Sequence, residues 1–133
     1  MRRNPFEKFL GPEDHLHHQV IRFLTAQYPG VLFHHSPMEG RRSKFEQFKL
    51  KWLGAKSGFP DLFIFASNRN GNGLAIELKV KPNKCTENQN AWLAALHNRN
   101  YKTAVCFSFE EARAVIEQYL GGAKKIITQK LHN

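Results

Sequence analysis

Gly58-Phe59-Pro60-Asp61-Leu62-Phe63-Ile64-Phe65 and Leu74-Ala75-Ile76-Glu77-Leu78-Lys79-Val80 hold two β-type runs, 61–65 and 74–80, separated by Asn68-Arg69-Asn70-Gly71-Asn72-Gly73. Such dense Asn and Gly favour a tight turn, so the two runs are expected to pair as an antiparallel hairpin. Alternate side chains of a strand share a face. Leu74, Ile76, Leu78 and Val80 therefore make one apolar face, while Glu77 and Lys79 project together from the other. Pro60 stiffens the entry to the first run and Asp61 begins it. The hairpin can bring Asp61 beside Glu77, provided the turn sets that register.

Two carboxylates and a lysine on one face suit a hard divalent cation. Mg²⁺ takes one or two carboxylates and leaves its remaining positions to water and phosphate oxygens. Without a cation, adjacent carboxylates repel, and one of them is driven to hold its proton. With a cation bound, the repulsion becomes coordination, and Lys79 could then hold or deprotonate an attacking water, or neutralise charge developing on a phosphate. Pro-Asp alone is an ordinary turn signal, and Glu-x-Lys alone is an ordinary solvated face. Their order on one hairpin is what points to phosphodiester chemistry.

Outward from the hairpin, the order of elements is α-β-α-β-β-α-β-α. Gly11-Pro12 opens a first helix, with Leu16, Val20, Phe23 and Leu24 at helical spacing until Pro29-Gly30. Val31 to His35 reads as a short strand. Arg41 to Lys56 reads as a helix plus loop, with Phe45, Phe48, Trp52 and Leu53 on its apolar face and Gly54 as its cap. After the hairpin, Thr86 and Gln89 have capping-box spacing for a helix to about Arg99 that carries Trp92, Leu93 and Leu96. Thr103 to Phe107 is another strand. Ser108 and Glu111 repeat the capping spacing before a last helix through Val115, Ile116, Tyr119 and Leu120, closed by Gly121-Gly122. The expectation is an α/β fold, a small mixed sheet flanked by helices. One domain is expected over 1–133, with a core of about 13–120 and a basic tail over 121–133.

Among the 133 residues, Lys plus Arg number 20 and Asp plus Glu 11, a formal net charge of +9. A domain so basic attracts a polyanion, most often nucleic acid. Hydrophobic residues at 41% and charged residues at 23% are ordinary globular usage. No apolar run approaches the roughly 20 residues that cross a bilayer. Nor does an apolar core follow the basic Met1-Arg2-Arg3-Asn4-Pro5, as a secretory signal requires. Cys85 and Cys106 lack CxxC spacing and read as reduced thiols of a cytoplasmic protein.

Pro60-Asp61 … Glu77-Leu78-Lys79 resembles the PD-(D/E)xK nuclease signature. The wider pattern resembles the VRR-NUC family, the virus-type replication-repair nucleases. That wider pattern comprises an acidic start to the first helix, Glu39-Gly40 with Arg42, Gly58-x-Pro60-Asp61-Leu62, Ile76-Glu77-Leu78-Lys79 and Lys84-x-Thr86-x-x-Gln89-x-x-Trp92. The likeness runs from about Glu13 to Leu120. It implies a restriction-endonuclease-like core and metal-dependent cleavage of DNA. Carried onto this chain, Asp61 and Glu77 would be metal ligands, Lys79 the catalytic lysine, and the backbone carbonyl of Leu78 part of the metal shell. Glu13 matches the family's first-helix acid, with Asp14 a near-equal candidate, and either one also favours the helix dipole. Gln89 matches a glutamine placed after the catalytic strand, where it could serve catalysis or only the capping box. Met38 stands where relatives often carry Asn, beside Glu39, a third acidic candidate and otherwise a loop residue.

His15 and His18 are three apart on a helix, and His34-His35 lie on a strand, but no HExxH or cysteine pair accompanies them. They read as structural or DNA-facing, with one of His34 and His35 on the face of the site. Arg41, Arg42, Lys44, Lys49, Lys51 and Lys56 stand against Glu46 alone, and are expected either to contact phosphates or to form a solvated face.

The expected activity is that of an endodeoxyribonuclease dependent on Mg²⁺, with Mn²⁺ as a substitute. It would select branched or four-way DNA, act as a homodimer, and serve replication, recombination or repair in a bacterium or a phage-infected cell. Two rivals remain: a nucleic-acid-binding module without activity, and a structural subunit of a replication assembly. Spare apolar residues for a dimer are Phe6, Phe9 and Leu10 before the first helix, and Ile126, Ile127 and Leu131 in the tail; equally, they could close the core.

Overall fold

The computed structural model describes residues 2–36 and 43–121. Its elements are a 3₁₀ turn at Glu7–Phe9, then α1 (Pro12–Gln27), β1 (Phe33–His35), α2 (Lys44–Trp52), β2 (Leu62–Ile64), β3 (Leu74–Leu78), α3 (Glu87–His97), β4 (Lys102–Cys106) and α4 (Phe109–Leu120). They form one four-stranded mixed sheet in the order β1-β2-β3-β4. The first three strands are antiparallel, and β4 joins β3 in parallel after the α3 crossover.

The hairpin pairs Leu62 with Ile76 and Ile64 with Leu74. Extended by one residue, this register sets Asp61 opposite Glu77. The period of two then separates the faces as expected. Leu62, Ile64, Leu74, Ile76 and Leu78 pack with Leu16, Val20 and Leu24 of α1 and with Ala112, Ile116 and Tyr119 of α4. On the other face a set of rings forms around Phe63, which lies 6.1 Å from Phe59 and 5.6 Å from Tyr101, with Trp92 of α3 4.9 Å from Phe59. Aliphatic burial on one side and aromatic packing on the other leave β3 buried along its whole length.

The turn between β2 and β3 is fastened to the end of α4. Asn68 and Asn70 side-chain amides donate to the Tyr119 carbonyl at 2.9 and 3.0 Å. The Tyr119 hydroxyl donates towards the Ala66 and Gly71 carbonyls at 2.6 and 2.9 Å. The last carbonyls of a helix have no partner within it, and here the turn supplies one.

Some boundaries differ from the sequence reading. β1 begins at Phe33 rather than Val31, whose N–H instead closes the turn after α1 onto Tyr28. β3 ends at Leu78, although the Lys79 N–H still donates to the Cys106 carbonyl at 2.9 Å. α3 stops at His97, short of Arg99, and the chain turns to a positive φ of 66° at Asn100. The larger difference is α2. Its apolar face does not enter a core: Phe45, Phe48, Trp52 and Leu53 are all exposed, Trp52 by 75%. Only Leu50, on the opposite side, is half-buried. Gly54 follows α2 with φ of 92°, as its capping place requires.

Candidate active site

Four chain segments meet at the entry to β2. Gly58, in the loop before it, has φ of 93°, and a Cβ there would fall 2.6 Å from the backbone carbon of Asn88 and 2.8 Å from the Gln89 nitrogen. Only glycine lets this loop lie so close to the start of α3. The Trp92 indole N–H fastens the same loop by donating to the Ser57 carbonyl at 3.1 Å. Pro60, fully buried, follows, and Asp61 emerges at the strand entry. Its Oδ2 accepts the Leu78 N–H at 2.8 Å.

From α1, Glu13 and His17 approach the same carboxylate. They lie one helical turn apart, so both face the sheet. The His17 Nε2 is 3.6 Å from Asp61 Oδ2 and 3.9 Å from Glu13 Oε1. One donor atom from each of Glu13, His17 and Asp61 fits within 4.8 Å of the others. The neighbouring Asp14 is used differently, accepting the Gly11 N–H at 2.9 Å to cap the helix. His35 stands edge-on to His17, ring centres 4.8 Å apart, whereas His15, His18 and His34 are exposed.

Glu77 is 1% exposed; as a carboxylate it meets no hydrogen-bond donor among the described residues, and as an acid it can donate to Asp61. Burial, reinforced by Asp61, pushes its carboxyl up to about 9, so it holds a proton at neutral pH. Burial and Asp61 also raise Glu13, while Lys79 pulls both back down. Burial lowers His17 against the opposing pull of Asp61. Lys79 is half-buried, and its charge reaches Glu13, His17 and Glu77.

A buried carboxyl that faces the Asp61 carboxylate is costly to ionise on its own. A divalent cation would turn that repulsion into coordination. The donor set of Glu13, Asp61 and Glu77 fits an oxygen-preferring ion, and His17 adds a nitrogen.

The structure thus gathers Asp61, Glu77, Lys79 and Glu13. Leu78 contributes its amide to Asp61. Gln89 is buried at the first turn of α3, and its Oε1 accepts the Thr86 N–H at 2.8 Å, completing the capping box. Lys44, Lys49 and Lys51 are exposed on α2, and Lys56 is exposed beyond it. Arg41, Arg42 and Glu39 lie outside the described residues, as does the tail with Ile126, Ile127 and Leu131. His17 is absent from the sequence reading. Its signal was the Glu-x-x-x-His spacing of Glu13 and His17, which places both on one face of a helix.

A model of the VRR-NUC domain matches residues 13–110. A solved VRR-NUC domain protein superposes with a TM-score of 0.69 at 27% identity, covering 83% of this chain and 88% of that one. A second solved VRR-NUC domain has a TM-score of 0.54 at 21% identity, over 80% of this chain and 96% of that one, and shows the shared fold. No curated protein matches the chain.

Proposed function

The chain belongs to the VRR-NUC family of nucleases, and from that premise we propose that it is a metal-dependent endodeoxyribonuclease selective for branched DNA. The observation that carries the reading is Asp61 at the strand entry, which shares a cluster of donor atoms with Glu13 and pairs with the buried acid Glu77, while the charge of Lys79 reaches both Glu13 and Glu77. In this reading Glu13, Asp61, Glu77 and the Leu78 carbonyl hold Mg²⁺, with Mn²⁺ as its substitute. The bound ion would polarise the phosphate and lower the pKa of a water. Lys79 orients that water or balances charge on the phosphate. Gln89 caps the start of α3, which the Gly58 loop approaches closely, and in this reading its side-chain amide would serve the site.

The DNA path in this reading runs over the exposed lysines of α2 and Lys56, with Arg41 and Arg42 adjoining in sequence. Phe48 and Trp52 lie between Lys44 and Lys51 on one side and Lys49 on the other. Lysines bind phosphates irrespective of sequence, and exposed rings stack on unpaired bases. Branch points offer both, which favours selection by structure. One site cuts one strand, so a homodimer is the assembly that severs two. Exposed Phe6, Phe9 and Leu10 supply apolar surface for it. No helix among the described residues is long and apolar enough to cross a membrane. The free thiols Cys85 and Cys106 suit the cytoplasm of a bacterium or a phage-infected cell.

Labelled linear, nicked, flapped and four-way DNA, incubated with Mg²⁺ or Mn²⁺, tests the proposal. Cleavage is expected on the branched substrates, stopped by EDTA and lost in Asp61→Asn. Activity that survives EDTA and Asp61→Asn would overturn it. Light scattering that gives a monomer both free and on junction DNA would remove the dimer.

A further inference from the structure

We propose that His17 is a metal ligand, a nitrogen donor that biases this site toward Mn²⁺ over Mg²⁺. The inference rests on the metal-dependent reading above and adds to it one residue from α1.

Three observations carry it. His17 is 6% exposed, and among the described residues neither ring nitrogen has a hydrogen-bond partner. A buried imidazole normally donates from one nitrogen and accepts at the other, so two idle nitrogens call for an explanation. Second, Nε2 sits 3.6 Å from Asp61 Oδ2 and 3.9 Å from Glu13 Oε1. Two donors sharing one ion through bonds of about 2.1 Å lie some 3.0 to 4.2 Å apart, so these separations match a common ion. Third, Glu77, a buried acid, meets the same Asp61 carboxylate from β3. A buried imidazole with both nitrogens idle and a buried acid, converging on one carboxylate, make a built site, unlike an exposed acidic patch.

The chemistry sets the direction of the bias. Mg²⁺ demands oxygen ligands, whereas Mn²⁺, which shares much of that preference, opens the transition-metal series and accepts an imidazole nitrogen more readily. Replacing an oxygen donor with His17 therefore favours Mn²⁺ relative to Mg²⁺. His35, edge-on to His17 at 4.8 Å, is the neighbouring candidate nitrogen. Its Nδ1 is also buried without a partner, but among the described residues no carboxylate lies within ion-pair distance of its ring, whereas His17 has two. We assign it to holding the His17 ring in place.

The test reads the metal directly. Protein labelled with ¹⁵N-histidine is loaded with Mn²⁺, and electron spin-echo modulation reports nitrogen bonded to the ion. Modulation from a bound imidazole is expected in the wild-type protein, kept in His35→Gln and lost in His17→Gln. Calorimetry should show Mn²⁺ affinity falling about tenfold or more in His17→Gln, with Mg²⁺ affinity changing much less. The wild-type spectrum decides the matter even if His17→Gln fails to fold. Bound Mn²⁺ without nitrogen modulation overturns the role of His17 and leaves the nuclease reading standing. Failure of the wild-type protein to bind Mn²⁺ or Mg²⁺ overturns both. Modulation that survives in a folded His17→Gln and disappears in His35→Gln also overturns the assignment.

Discussion

Asp61 is tied to the backbone of the opposite strand, its Oδ2 accepting the Leu78 N–H at 2.8 Å. One side chain thus serves the site and the hairpin together, because its bond fixes the register in which Glu77 and Lys79 follow. Asp61→Asn keeps an acceptor and loses the charge, whereas Asp61→Ala loses both. Both variants should cleave below about 1% of the wild-type rate. In urea titrations with EDTA, Asp61→Ala should be about 1–2 kcal/mol less stable than Asp61→Asn, since a part-buried N–H loses its partner. Equal stability of the two variants would show that the bond adds nothing to the hairpin.

Glu77 makes metal-free stability fall with pH. Its carboxyl titrates near 4.5 when unfolded and at about 9 in the folded protein. The folded state therefore binds the extra proton between those values. The full stability is present below about pH 4.5 and declines as pH rises through 9, by at most about 1.4 kcal/mol per unit. In EDTA at pH 8, Glu77→Gln should melt above the wild-type protein, by roughly 2 kcal/mol of stability, with the gap closing toward pH 5. Mn²⁺ should stabilise the wild-type protein more than the variant. A gap that does not vary with pH would refute the protonated state.

Gly58→Ala tests the loop that delivers Asp61. Its φ of 93° is unfavourable to any side chain, and the added Cβ would meet backbone atoms at 2.6 to 2.8 Å. Backbone cannot swing aside as a flexible side chain does. A loss of about 2–4 kcal/mol is expected from chemical denaturation, together with weakened cleavage. Unchanged unfolding midpoints would show that α3 yields easily at this point.

On α2, Lys49→Gln/Lys51→Gln should weaken binding to unrelated DNA sequences alike. The slope of log affinity against log salt should become shallower by about one unit per lost phosphate contact. Trp52→Ala should instead weaken gapped or branched DNA more than intact duplex, because only unpaired bases can stack on the ring. Fluorescence anisotropy at several salt concentrations distinguishes the two. An unchanged slope in the lysine variant would move the DNA path off this helix.

The hairpin was legible because three local signals agree: alternating hydrophobicity in 74–80, Asn and Gly in the turn, and Pro60 before Asp61. The capping boxes of α3 and the start of α4 were legible for the same reason, since a cap is a bond between residues three apart. His17 was legible only as the helix-face neighbour of Glu13, because its place beside Asp61 depends on how α1 crosses the sheet, a long-range fact that the spacing does not encode. α2 failed in another way. Phe45, Phe48 and Trp52 have the spacing of a buried face, but periodicity shows only that apolar groups share a side, not that anything covers them. Asp14 and Glu13 could not be ranked until the Gly11 N–H was seen to occupy Asp14.

The turn at 68–71 has a consequence for anyone who cuts or splices this chain. It looks like an expendable surface loop, the usual place for a tag or a new terminus. Its Asn68 and Asn70 side chains, with the Tyr119 hydroxyl, stitch it to the last turn of α4, some fifty residues later in the sequence. An insertion here would therefore unpick the final helix, and trimming the chain back through Tyr119 would loosen the hairpin that carries Glu77. The central hairpin and the last described helix are sutured at one point, at the opposite end of β3 from its chemistry.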